Sequence, residues 1–225
     1  MKKTYDANNL ESILNYSKQL EGKTLREVFN NEVLENMREE IEGNKGKFGQ
    51  ILERYFFGYE CNSDSEPDFP CGLELKVTPL KKLKNGTLSP KERLVCNIIN
   101  FENIINESWE ESSFLKKNQN MLVIQYIDPL DKNIDRLDYK IVKVFLHNIN
   151  DDFEHIEQFK QDWNTIVSKI KDGKAHKLSE SDTKYLGACT KGATALTSLR
   201  RQPNSEELAK QRAFSFKTKY MKSLI

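Results

Sequence analysis

The sequence predicts a mixed α+β chain: helices, then several strands, then helices again, the order of a mixed sheet with helices packed on it. Three observations carry this. Leu10, Ile13, Leu14 and Leu20 recur at helical spacing over residues 6–20. Four strand-like runs follow between residues 72 and 147. A long amphipathic segment, FEHIEQFKQDWNTIVSKIKDG, then ends at Gly173.

Taken in order, a second helix is expected from about Lys45 to Phe57, with Asn44 as its cap and Gly58 as its stop. Phe48, Ile51, Leu52, Tyr55 and Phe56 form its apolar stripe, and Glu53 lies at the edge of that stripe. The strands are GLELKV, RLVCNIINF, MLVIQYI and YKIVKVFLH. After the long helix come KYLGACTKGATAL, a turn at RRQPNS and a final segment AKQRAFSFKTKYMKSLI.

A length of 225 residues permits one domain or two small ones. With 31% charged residues, no apolar run long enough for a bilayer and no apolar stretch after the basic start, a cytoplasmic protein without membrane contact is expected. Cys61, Cys71, Cys96 and Cys189 form no CxxC pair and read as free thiols. His147, His155 and His176 are not spaced as metal ligands, and Trp109 and Trp163 sit in apolar settings that suit a core. No phosphate-binding Gly-rich loop or nucleophile elbow is present, so no nucleotide cofactor is expected.

The net charge of +1 conceals an asymmetry. From Lys171 onward there are 12 Lys and Arg against 5 Asp and Glu, a balance of +7, which leaves −6 for the first 170 residues. Lys76 to Arg93 adds a second basic island of 6 bases against 1 acid. Two basic segments in a nearly neutral chain point to a localised polyanion footprint, although each lysine alone fits a solvated surface equally well.

The chemistry concentrates in SEPDFPCGLELKVTPLKK, residues 65–82. On a strand, Glu74 and Lys76 share one face while Leu73, Leu75 and Val77 take the other. Asp68, just upstream, comes near Glu74, and two adjacent carboxylates call for a cation between them. Mg²⁺ suits this set: hard oxygen ligands from Asp68, Glu74 and the Leu75 carbonyl, with waters and phosphate oxygens completing its shell. Lys76 then positions the attacking water and stabilises charge on a phosphate, an arrangement for hydrolysing a phosphodiester. The same triplet also suits a surface strand carrying an ion pair. Glu53, the apolar alternation and the basic segments favour the metal site.

Beyond these residues, GKFGQILERYFFG, PDFPCGLELKVTP, WEESSFLKKNQNMLVI, FKQDWNTIVSKIKDGKAH, YLGACTKGATA and QRAFSFKTKYM together resemble the MutH-type GATC endonucleases. That family comprises a mismatch-repair nickase and Sau-type type II restriction enzymes. TPLKKLKNGTLSPKERLVCNIINFE is most similar to the restriction branch. The resemblance implies a restriction-endonuclease-like PD-(D/E)xK fold over residues 1–225, mainly catalytic to about residue 150 and mainly DNA-recognising over 151–225. It implies double-stranded DNA containing GATC as partner and Mg²⁺ as cofactor. Catalytic residues would be Glu53, Asp68, Glu74, Lys76 and Lys117, with Lys116 as the alternative to Lys117. DNA contacts would come from Lys191, Arg212, Ser215, Lys217 and Lys219. Where the nickase has a tyrosine near its adenine, Ser215 would leave room for an N6-methyl group, so adenine methylation is expected not to block cleavage. The restriction branch carries two MutH-like halves, so this chain reads as the N-terminal catalytic part of a longer enzyme, with a second MutH-like domain or a dimer partner. The nickase itself and a non-catalytic GATC-binding module are the alternatives.

Overall fold

The computed structural model describes residues 4–41, 47–59, 65–131, 133–192 and 198–225. In chain order the elements are α1 (Leu10–Ser17), α2 (Leu25–Val28), α3 (Asn31–Ile41), α4 (Lys47–Ile51), β1 (Leu73–Lys82), β2 (Leu88–Pro90), β3 (Leu94–Ile98), α5 (Ser113–Asn118), β4 (Asn120–Ile127) and β5 (Ile141–Asn148). There follow α6 (Ile156–Lys171), β6 (Leu186–Thr190), β7 (Leu199–Gln202), β8 (Ser205–Lys210), β9 (Arg212–Phe216) and α7 (Thr218–Met221). The expected order of helices, strands and helices holds, and the class is mixed α+β.

The chain folds into two units that interleave in sequence. The first is Met1–Lys91 with Asn120–His147, and the second is Glu92–Gln119 with Asn148–Ile225. In the first unit a four-stranded mixed sheet has the order β2-β1-β4-β5, with β1 antiparallel to β2 and parallel to β4. Leu73, Leu75, Leu122 and Ile124 present one sheet face to a core shared with Ile13, Tyr16, Met37, Ile51 and Phe56. Two alternating strands and three amphipathic helices thus bury their apolar faces together, the main favourable contribution to folding.

The approach to β1 has unusual backbone geometry. α4 runs directly into a wider π-helical turn, Leu52–Phe57. Gly58, at φ 71 and ψ 44, closes it, and its N–H donates to the Glu53 carbonyl at 2.6 Å. Only glycine adopts that left-handed conformation without steric cost. Single π-helical turns gather at functional sites, and this one carries Glu53. The predicted cap Asn44 and Cys61 lie outside the described residues.

In the second unit β9 is the middle strand of a three-stranded sheet, β3-β9-β6, and β7 pairs with β8 as a separate hairpin. The predicted turn at RRQPNS is the tip of this hairpin, where Asn204 has φ 55. Phe114, Phe159, Phe214, Phe216 and Tyr220 are fully buried, and Trp109 meets Trp163 edge-on at 6.1 Å, so both tryptophans are core residues as expected. Asp162 is buried on the inner side of α6 and accepts the N–H groups of Lys184, Tyr185 and Leu186 at 2.9, 2.6 and 2.8 Å. That carboxylate pins the entry to β6. Among the described residues Cys71, Cys96 and Cys189 are free thiols, and no helix is long and apolar enough to cross a membrane.

Candidate active site

β1 reads LELKVTPLKK, and its alternation sends Leu73 and Leu75 into the core while Glu74, Lys76 and Thr78 share the opposite face. That opposite face is not a surface. Glu74 is 4% exposed and Lys76 9%, so the reading of a solvated strand with an ion pair does not hold. The parallel register sets Met121 beside Glu74 and Val123 beside Lys76. Apolar neighbours keep these two charges in a poorly solvated environment, which strengthens whatever electrostatic contacts they make. Lys76 Nζ donates to Glu74 Oε1 at 2.8 Å.

Asp68 enters from the preceding segment. An isolated bridge between Phe69 and Leu73 folds that segment back on the start of β1. The Leu75 amide then donates to Asp68 Oδ2 at 2.8 Å. The acid is therefore held by the peptide that separates Glu74 from Lys76. Burial, then the negative charges of Glu74 and Glu53, push the Asp68 carboxyl up to about 7, against the opposite pull of the Leu75 amide and Lys76. Four of the sequence-predicted groups, Glu53, Asp68, Glu74 and Lys76, thus share one electrostatic neighbourhood, with Leu75 between them.

This crowding tests the site for a divalent cation. Three carboxylates are weighed against one ammonium, and Asp68 retains its proton to an unusually high pH, first because it is desolvated and then because negative charge is in excess. A hard cation relieves that excess, and the oxygen donors fit it. Among the described residues no three His, Cys, Asp or Glu side chains form a ready cage. A set of two carboxylates and the Leu75 carbonyl does not require one.

The remaining predicted residues lie in the second unit. Lys117 is half-buried on α5, beside the exposed Lys116. Lys191 is half-buried, its N–H bonded to the Gln211 carbonyl at 2.8 Å, and Lys219 is exposed, its ammonium 5.6 Å from the Tyr185 ring centre. The others have structural employment that RAFSFKTKY does not reveal. Ser215 is 0% exposed in the middle strand of its sheet, paired with Val95 on one side and Gly187 on the other. Arg212 donates to the carbonyls of Ala188 (3.2 Å) and Leu178 (2.8 Å), and burial lowers its pKa. Lys217 donates to the Glu180 and Thr183 carbonyls, and burial lowers its pKa too. Both cations tie loops together through these carbonyls. One neighbour of the acidic cluster escaped the sequence reading: Tyr59, directly after Gly58, where an aromatic carries no recognisable signal.

Comparison with known proteins covers the same residues. Residues 57–162, which contain Asp68, Glu74, Lys76 and Lys117, match the family described as DNA mismatch repair enzyme MutH. Over 216 residues the chain is 45% identical to the type II restriction enzyme Sau3AI of Staphylococcus aureus, covering 96% of this chain and 42% of that protein. The chain is thus similar to the MutH family and to a restriction enzyme. Its similarity to the DNA mismatch repair protein MutH of Buchnera aphidicola is lower, 29% over 174 residues, covering 74% of this chain and 73% of that one. For MutH of Shewanella baltica it is 26% over 215 residues, covering 94% and 92%. The chain therefore spans about two fifths of the restriction enzyme and most of each MutH.

Proposed function

We propose that this chain is the catalytic domain of a type II restriction endonuclease that hydrolyses DNA phosphodiester bonds at GATC sites with Mg²⁺. One observation carries the catalytic reading: Asp68, Glu74 and Lys76 are joined through the Leu75 amide and a 2.8 Å ion pair on a buried strand face. Asp68, Glu74 and the Leu75 carbonyl hold the cation in this reading. Bound there, Mg²⁺ stabilises charge developing on the phosphate and makes a water nucleophilic at neutral pH. Lys76 orients the attacking water and presents a fixed positive charge to the phosphate, already desolvated and needing no reorganisation. Glu53 supports the site from the π-helical turn by orienting water. Lys117, or Lys116, contacts the scissile phosphate, and cations of the second unit, with the half-buried Lys191 and the exposed Lys219 foremost, contact the DNA.

Restriction is favoured over mismatch-repair nicking by the identities, 45% to the restriction enzyme against 25–29% to the MutH proteins. A non-catalytic binding module would have no use for a buried Glu74 and Lys76 with Asp68 half-buried beside them. One such centre cuts one strand, so a double-strand break calls for a second MutH-like domain, a dimer or two successive nicks. The test is digestion of a plasmid of known sequence with Mg²⁺, followed by end mapping. The reading requires ends at GATC and loss of cleavage in Glu74→Ala with DNA binding retained. Cleavage elsewhere defeats the GATC assignment, nicking alone favours the repair enzyme, and binding without cleavage favours the module.

A further inference from the structure

We infer that Tyr59 is a positioning residue of this site, its hydroxyl holding a water molecule against the Glu53 and Asp68 carboxylates. The inference rests on the nuclease reading above. Tyr59 is anchored on both sides. Its N–H donates to the Glu53 carbonyl at 3.0 Å. Its ring meets Phe69, the residue after Asp68, edge-on at 5.3 Å, and Phe57 at 6.4 Å. Tyr59 is thereby fixed between Glu53 in the π-helical turn and Phe69, the residue after Asp68.

Its hydroxyl oxygen is buried and has no hydrogen-bond partner among the described residues. A buried hydroxyl without a partner costs about 1–3 kcal/mol, and a phenylalanine would make the same ring contacts without that cost. Burial, then the charges of Asp68, Glu53 and Glu74, raise the Tyr59 pKa far above the usual tyrosine range. The group is therefore a permanent donor facing carboxylates that accept when ionised. A water molecule joins these requirements by accepting from the phenol and donating to the acids, as buried waters do for otherwise unsatisfied polar groups. Held there, it orients Asp68, which binds the cation, and Glu53 beside it, a supporting role whose loss costs about 10- to 100-fold in metal affinity or activity.

Tyr59→Phe removes only the hydroxyl and keeps the ring packing. Its thermal melting should match the wild type. Its kcat with Mg²⁺ and DNA should fall by about 10- to 100-fold at unchanged KM, and calorimetry with Mg²⁺ alone should show weaker binding in the same range. Wild-type kcat and Mg²⁺ affinity in the variant would overturn the inference, as would a rate loss that merely follows a lowered melting temperature. If the wild-type chain binds Mg²⁺ but cuts no DNA, the nuclease reading fails instead, and the calorimetry still decides the role of Tyr59.

Discussion

Lys76 Nζ lies 2.8 Å from Glu74 Oε1, and the two side chains are 10% and 5% exposed. Neighbours on one strand face, they form a pair whose desolvation is already complete. Removing one member of such a pair costs about 3–5 kcal/mol, because the other charge stays buried. Lys76→Ala should therefore lower stability by that amount in urea unfolding without metal, and Glu74→Leu with Lys76→Met should restore most of it. Neither protein should cleave DNA. Wild-type stability in Lys76→Ala would show that the pair has no energetic role.

Asp68 sets a pH dependence whose sign follows from its raised pKa, about 7 against 3.8. Between those values the folded chain holds a proton that the unfolded chain has released. This contribution to stability is complete below the unfolded value and is lost as pH rises through about 7. Without metal, melting of the wild type should fall relative to Asp68→Asn as pH rises from about 4 to 7. Parallel pH profiles for the two proteins would mean that Asp68 titrates normally.

Asp162 makes a stability prediction outside the site. Its carboxylate satisfies three consecutive backbone N–H groups and the Gln158 amide. Asp162→Ala strands those donors and should cost about 3 kcal/mol or more, lowering the melting temperature by about 6 °C or more. A loss within 1 °C would show that water replaces the carboxylate.

Lys217 and Lys219 are two residues apart and should behave oppositely. Lys217→Ala frees the Glu180 and Thr183 carbonyls from their shared cation and should lower the melting temperature. Lys219→Ala removes an exposed charge and should leave melting unchanged, while weakening DNA binding and reducing its salt slope by about 1. The reverse pattern, read by melting and by binding across a salt series, would exchange the two roles.

How much of this was legible in the sequence depends on the range of the determining contact. The alternation around Glu74 and Lys76 is local, and β1 formed with the facing that period two demands. The helix before it was legible in its position and in its stop at Gly58, but not in its π-helical turn. The burial of Ser215 and the carbonyl contacts of Arg212 and Lys217 were not legible, because a basic, polar strand looks exposed until its neighbours are known. Here β3 and β6 close over Ser215 from sequence distances no pattern encodes. Asp162 was invisible for the same reason: on a helix it resembles any solvated acid, and its three partners come about twenty residues later.

The chain passes between its two units after Lys91, after Gln119 and after His147, and this has a consequence for synthesis on the ribosome. When β1 emerges, its parallel neighbour β4 has not been translated. When β3 emerges, its partner β9 lies near the far end of the polypeptide. A product stopped near residue 150 would complete the four-stranded sheet yet trail β3 without β9, an open edge suited to pairing with another chain. Contiguous halves of the polypeptide are therefore not halves of the structure. Fragments meant to isolate the acidic cluster need residues 92–119 excised and replaced by a linker rather than a single cut.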